Sequence, residues 1–145
     1  MYVEVLQSTE NGTEEWCMWK FYNPNPVGRS EGVDCAVRAV AKALNTDWET
    51  AYILIAINGF AMGDVSCSDS VWGSVLRQHG FYRENIAKDL RGRYFVGDFA
   101  EDNQDGTFVV GTGSHAVAIV DGDIYDSFDS TDQPVEFVWY RKDGK

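Results

Sequence analysis

The chain is organised around residues 114–130, which read SHAVAIVDGDIYDSFDS. An apolar run, an Asp-Gly pair and a second strand-like run predict a β-hairpin with Asp121 and Gly122 in its turn. Counting outward from that turn places His115 and Asp126 on one face, as diagonal neighbours about 7–8 Å apart at the backbone. A histidine beside a carboxylate on a rigid hairpin is typical of one half of a catalytic site.

The composition is that of a packed protein, since 44% of the 145 residues are hydrophobic and 14% are aromatic. A chain of this length predicts a single domain over residues 1–145. No apolar run approaches the ~18 residues of a membrane span. The first residues lack the basic and apolar regions of a signal peptide. We therefore expect a cytoplasmic protein that does not act at a membrane.

The net charge of the protein limits the kinds of molecule that it is expected to bind. Twelve basic residues against twenty-three acidic ones give a net charge of −11. Nucleic-acid binding needs clustered Lys and Arg, so no nucleic-acid partner is expected. Solubility alone accounts for such a charge, and an acidic surface that competes with nucleic acid for a basic partner is the alternative.

No metal or other cofactor is predicted. Three well-separated cysteines, Cys17, Cys35 and Cys67, do not imply a disulfide framework, and two histidines without a C-x-x-C pair argue against structural zinc. The aspartate-rich stretch 121–132 lacks the glycine and the terminal glutamate of an EF-hand calcium loop. Each cysteine is therefore either a packed apolar residue or a reactive thiol.

Three helices are predicted in the first half of the chain. Asp34 is the expected N-cap of a helix over 35–44, whose alanines and valines form one buried stripe. A second helix should begin at Thr46 or Asp47 and run to about residue 58, closed by Gly59. Because it is apolar nearly all round, we expect it to be well buried. A third should cover 69–79, with His79 bonding free carbonyls in the last turn.

The remaining patterns predict strands, and together they indicate an α+β fold. An N-terminal hairpin is expected between 2–6 and 16–22 around an Asn-Gly turn, and a short acidic helix within 96–105. Strands should then cover 107–111, 114–120, 123–129 and 135–141. Helices followed by strands favour a helical part packed on a C-terminal antiparallel sheet.

The first predicted helix carries a candidate nucleophile for the histidine–aspartate pair of the hairpin. Cys35 lies in its first turn, where free N–H groups and the helix dipole stabilise a thiolate. His115 would be the general base and then the acid, and Asp126 would orient its ring. The predicted chemistry is acyl transfer to the Cys35 thiol, followed by hydrolysis.

The order of these residues resembles that of papain-like cysteine peptidases, and GVDCAVRA at 32–39 is similar to the nucleophile motif of ovarian-tumour-type deubiquitinases. Over about residues 20–140 the chain looks most like a family of small phage and prophage proteins of uncertain role. The matching stretches are YNPNP at 22–26, DCAVRA at 34–39, MGD at 62–64, VWG at 71–73, SHAVAIVDG at 114–122 and YDS at 125–127. The resemblance implies a phage-encoded thiol hydrolase of the host cytoplasm, with its site between a helical and a sheet lobe.

The chain departs from the papain-like pattern at the oxyanion donor. Such enzymes place a Gln about six residues before the nucleophile, and here that residue is Arg29. The backbone N–H of Cys35 remains one donor, and Asn25, Asn23 or Arg29 is the candidate for the second. The Asp34 carboxylate opposes a thiolate at Cys35 unless it is spent capping the helix.

Two functions follow from these patterns. The first is a cysteine hydrolase acting on a peptide, isopeptide or related amide bond of a host or viral protein or peptide. Amidase and acyltransferase activities share its chemistry and stay open. The second is a non-catalytic acidic interaction or inhibitor protein on a peptidase-like fold. The oligomeric state is not indicated.

Overall fold

The structure is a computed structural model that describes residues 3–8, 14–29 and 33–141. Its helices are α1 Cys35–Ala43, α2 Trp48–Met62, α3 Asp69–Gln78 and α4 Val96–Asp102, with a short 3-10 turn at Lys88–Leu90. Its strands are β1 Val3–Ser8, β2 Glu14–Phe21, β3 Phe81–Asn85, β4 Thr107–Gly111, β5 Ala116–Val120, β6 Asp123–Asp126 and β7 Phe137–Arg141. Within these residues no helix is both long and apolar enough to cross a membrane.

All seven strands belong to one sheet, in the order β1-β2-β6-β5-β4-β7-β3. The predicted α+β class is confirmed, with helices packed on a mostly antiparallel sheet. The expectation of a wholly antiparallel, C-terminal sheet is wrong in two respects. The strand β2 pairs with β6 in parallel, and β1, β2 and β3 come from earlier in the chain. Hydrophobic alternation within a strand identifies the strand but does not specify its neighbour.

The central hairpin has the predicted register. Val120 pairs with Asp123 across the turn. Asp121 has φ 50° and Gly122 has φ 84°, the left-handed backbone that two-residue hairpin turns require. The Asp121 carboxylate also accepts a hydrogen bond from the Gly106 N–H at 3.0 Å, which ties the turn to the strand β4.

Side chains of β5 alternate between two hydrophobic cores. Ala116 and Ala118 pack with the helices α1, α2 and α3 on one face of the sheet. Val117 and Ile119 pack with α4 on the other face. The small alanines on α1 and β5 let the helix lie close to the strand, which brings the start of α1 to the end of the hairpin.

The helix α2 differs from its prediction in both length and burial. It continues through Gly59 and ends at Gly63, which has φ 70° and caps the helix in the left-handed conformation. Gly59 instead permits a close approach, because a Cβ there would lie 2.9 Å from the Asp64 carbonyl oxygen. The expectation that α2 is well buried is wrong. It packs on α1 and α3 through Ala51, Ile55 and Gly59 and exposes Ile53, Ile57 and Phe60.

Several smaller predictions are confirmed. The ring of His79, at the end of α3, contacts the Val75 carbonyl oxygen through Nδ1 at 2.8 Å. The acidic helix is α4, and the N-terminal hairpin is β1 paired with β2. The turn of that hairpin at Asn11 and Gly12, and the predicted packing of the Cys17 thiol, lie outside the described residues.

Candidate active site

Cys35 is the first residue of α1 and lies in a cleft of about 390 Å³. Ala36 and Arg38 extend its helical wall, and the segments around His115 and Phe128 form the opposite wall. The cleft therefore lies between the helices and the end of the β5–β6 hairpin.

The structure brings Cys35, His115 and Asp126 together at the cleft. Nε2 of His115 lies 2.6 Å from Oδ2 of Asp126. The His115 ring also lies beside the Cys35 thiol, close enough for each group to shift the pKa of the other. Because an imidazole has two ring nitrogens and Nε2 faces Asp126, Nδ1 is the nitrogen that faces the sulfur. The backbone N–H of Ala116 also lies near the Cys35 sulfur and acts to lower the pKa of the thiol.

Asp126 is only 2% exposed, and both of its carboxylate oxygens have polar partners. Its Oδ2 accepts a hydrogen bond from the Ser130 hydroxyl at 2.7 Å, and its Oδ1 accepts one from the Ser127 N–H at 2.8 Å. Nη2 of Arg38 lies 3.4 Å from the same Oδ1. A carboxylate fixed in this way can orient His115 and stabilise its protonated ring.

Arg38 is a site residue that the sequence interpretation missed. It is 5% exposed and forms ion pairs with both Asp34 and Asp126. It thus connects the residue before Cys35 to the carboxylate that contacts His115. The four-residue spacing of Asp34 and Arg38 on a predicted helix is a signal that could have identified the first pair. No local signal indicates the second, which spans 88 residues.

Asp34 occupies the N-cap position of α1, but the expectation that its side chain caps the helix is wrong, since it makes no capping hydrogen bond. Its carboxylate instead pairs with Arg38 and accepts hydrogen bonds from Nδ2 of Asn25 at 3.1 Å and Nε1 of Trp48 at 3.0 Å. The Arg38 guanidinium offsets the negative charge that would otherwise oppose a thiolate at Cys35.

The surroundings shift the pKa values of Cys35 and His115 in opposite directions. Burial acts to raise the pKa of the Cys35 thiol, but hydrogen bonds from His115 and the Ala116 N–H outweigh it and lower that pKa below the ordinary 9.0. Burial acts to lower the pKa of His115, but hydrogen bonds to Asp126 and Cys35 outweigh it and raise that pKa to about 9. These shifts favour a thiolate–imidazolium pair near neutral pH.

The Phe128 ring covers the other side of this pair. Its centroid lies 4.9 Å from that of the His115 ring, and it stays half-exposed at the mouth of the cleft. The ring limits water at the imidazole while leaving the sulfur open to the cavity.

The three side chains predicted as oxyanion donors do not line this cleft. The Asn25 amide donates to Asp34, and the Asn23 amide donates to the Arg29 carbonyl oxygen at 2.9 Å. Arg29 is exposed and lines a neighbouring groove. The N–H groups of Cys35 and Ala36 remain, because they precede the first helical hydrogen bond of α1.

The aspartate-rich stretch of the hairpin does not form the rim of the cleft. Asp123 pairs with Lys20 at 2.8 Å, and Asp129 accepts hydrogen bonds from Thr131. The acidic residue at the cleft is Asp69, which accepts a hydrogen bond from the Trp72 indole at 3.2 Å.

No protein-family model, no curated protein and no solved structure matches the chain.

Proposed function

We propose that this protein is a cysteine-dependent hydrolase of the papain-like type. The observation that carries the proposal is that the Cys35 thiol lies beside the His115 ring, and that Nε2 of the same ring lies 2.6 Å from the Asp126 carboxylate. A nucleophile, a base and a group that orients the base are the three parts that thiol-mediated acyl transfer needs.

In the proposed reaction the Cys35 thiolate attacks the carbonyl carbon of an amide, and a C–S bond forms. The backbone N–H groups of Cys35 and Ala36 donate hydrogen bonds to the former carbonyl oxygen and stabilise its negative charge. As the C–N bond breaks, the His115 imidazolium gives its proton to the leaving amine. His115 then takes a proton from water as the water oxygen attacks the thioester. The C–S bond breaks, the acid is released, and the Cys35 thiolate and the His115 imidazolium are restored.

The substrate bond is a peptide, isopeptide or related amide bond in a protein or peptide. If the chain is phage-encoded, as its sequence resemblance implies, the substrate belongs to the host or to the virus. Acyl transfer to an amine instead of water would use the same first step, so amidase and acyltransferase activities belong to the same proposal.

Selective alkylation tests the nucleophile without knowledge of the substrate. Native protein is treated with iodoacetamide at intervals from pH 5 to 9, and the label is located by mass spectrometry. Cys35 should be labelled faster than the exposed Cys67 at pH 6, because its surroundings lower the pKa of the Cys35 thiol. A His115→Gln variant should lose this advantage while Cys67 reacts as before. Equal rates for the two thiols below pH 8 would overturn the proposal.

A non-catalytic interaction protein is the second candidate. The observation that favours it is that none of the three predicted oxyanion donors, Asn23, Asn25 and Arg29, lines the cleft. Loss of one such donor costs about two to three orders of magnitude in rate. A Cys35→Ala variant separates the two functions, because it would abolish hydrolysis but leave binding to a protein partner unchanged.

A further inference from the structure

We propose that the apolar groove beside the catalytic cleft is a substrate subsite, and that it accepts one large apolar side chain of a peptide substrate. The groove has a volume of about 620 Å³, and Val33, Ala36 and Cys67 lie between it and the catalytic cleft. These three residues line both the groove and the cleft that holds Cys35. The inference rests on the proposed hydrolase function and names the class of substrate for that site.

The walls of the groove are apolar and partly open to solvent. Val27 is 78% exposed, Val33 is 86% exposed and Tyr52 is 48% exposed. Pro26 and the side chain of Val37 complete the apolar surface. Apolar side chains that meet in one concave site beside a reactive thiol are typical of a ligand-binding surface.

One wall of the groove is held in place before any substrate binds. The rings of Trp48 and Tyr52 stack with their centroids 5.1 Å apart. The Trp48 indole donates a hydrogen bond to the Asp34 carboxylate, which Arg38 fixes in turn. The network behind the catalytic cleft therefore also orients the aromatic wall, and a fixed wall reduces the entropy cost of binding.

The charges around the groove favour an apolar side chain over a charged one. The Asp34 carboxylate is paired with Arg38, so it does not offer a free charge to a substrate lysine. Arg29 lies exposed among the lining residues and can keep its charge in water. A Glu or Lys side chain would lose its hydration on entering these walls, whereas Leu or Phe would gain from burial.

The test uses six-residue peptides with an aza-peptide Michael acceptor at the centre, to which the Cys35 thiolate adds across the double bond. Each flanking position is varied in turn among Leu, Phe, Ala, Glu and Lys, and the rate of Cys35 modification is followed by intact mass. At one position Leu or Phe should react about tenfold or more faster than Ala, Glu or Lys. The Val27→Asp variant should lose this preference, and the matched Val65→Asp variant should keep it, because Val65 is exposed but lines neither cavity.

A second matched pair guards against misfolding of one variant. Tyr52→Ser removes part of the aromatic wall, whereas Ile57→Ser changes an exposed residue of α2 that does not line the groove. Only Tyr52→Ser should weaken the preference. Absence of any apolar preference, or a preference that survives both groove variants, overturns the inference. Iodoacetamide labelling is the parallel control, since selective labelling of Cys35 with no side-chain preference refutes the subsite and leaves the hydrolase proposal standing.

Discussion

Removing Arg38 should destabilise the protein, because this guanidinium is paired with two carboxylates. In an Arg38→Met variant, the Asp126 carboxylate would keep its hydrogen bonds but lose the nearby cation, although the residue is only 2% exposed. The Asp34 carboxylate would lose its ion pair as well. Breaking a buried pair by removing one partner costs about 3–5 kcal/mol, a large part of a typical total stability. The free energy of unfolding is measured by urea denaturation.

The double variant Asp34→Asn with Arg38→Met makes this prediction specific. Asn25 and Trp48 both donate to Oδ2 of Asp34, and the amide oxygen of an asparagine can accept both hydrogen bonds. The double variant should therefore lose about 2 kcal/mol less than the sum of the two single variants. A loss below about 1 kcal/mol for Arg38→Met, or strictly additive losses, would refute the assigned role of Arg38. If Arg38→Met does not fold, Arg38→Lys gives the same comparison, because a single ammonium cannot span both carboxylates.

Three further changes have defined outcomes. Asp126→Asn should lower the pKa of His115 from about 9. It should also slow iodoacetamide labelling of Cys35 at pH 6 by about tenfold or more. An unchanged labelling rate would contradict the proposed role of Asp126 in orienting His115. The pKa of His115 is raised in the folded protein, so its stabilising effect is complete below the ordinary value of 6.5 and is lost as the pH rises through about 9. The difference in urea midpoint between the native protein and the His115→Gln variant should shrink from pH 6 to pH 10. A difference that grows over this range would contradict a raised pKa of His115 in the folded protein. Gly111→Ala would place a Cβ 2.1 Å from the Phe137 ring and should cost about 1–3 kcal/mol in thermal or urea denaturation. Adding Phe137→Leu should recover part of that loss, and a Gly111→Ala variant as stable as the native protein would contradict the close packing.

The hairpin and its histidine–aspartate pair could be predicted because local rules determine them. An Asp-Gly turn fixes the register, and the register fixes which side chains face each other. His115 precedes β5, and Asp126 is the last residue of β6, so the two meet where the hairpin ends. The start of α1 at Cys35 was likewise predictable from the alanine-rich helix pattern that begins there.

Features that depend on tertiary contacts could not be predicted in the same way. The parallel pairing of β2 with β6 joins segments about a hundred residues apart, and no local pattern encodes it. The exposed side of α2 follows from which elements pack on it, since apolar composition alone does not distinguish a covered face from an open one. Asp34 does not cap its helix, because its carboxylate pairs with Arg38 and accepts hydrogen bonds from Asn25, before α1, and from Trp48, at the start of α2.

The protonation state of His115 is the most direct measure of the proposed site. A ¹⁵N-resolved NMR titration follows both histidines of the chain, and a His79→Asn variant assigns the signals. Held between Asp126 and the Cys35 sulfur, the His115 ring should stay protonated at pH 7 and titrate with a midpoint pKa of about 9. A neutral His115 ring at pH 7, with a midpoint at or below the ordinary 6.5, would contradict the thiolate–imidazolium pair on which the account depends.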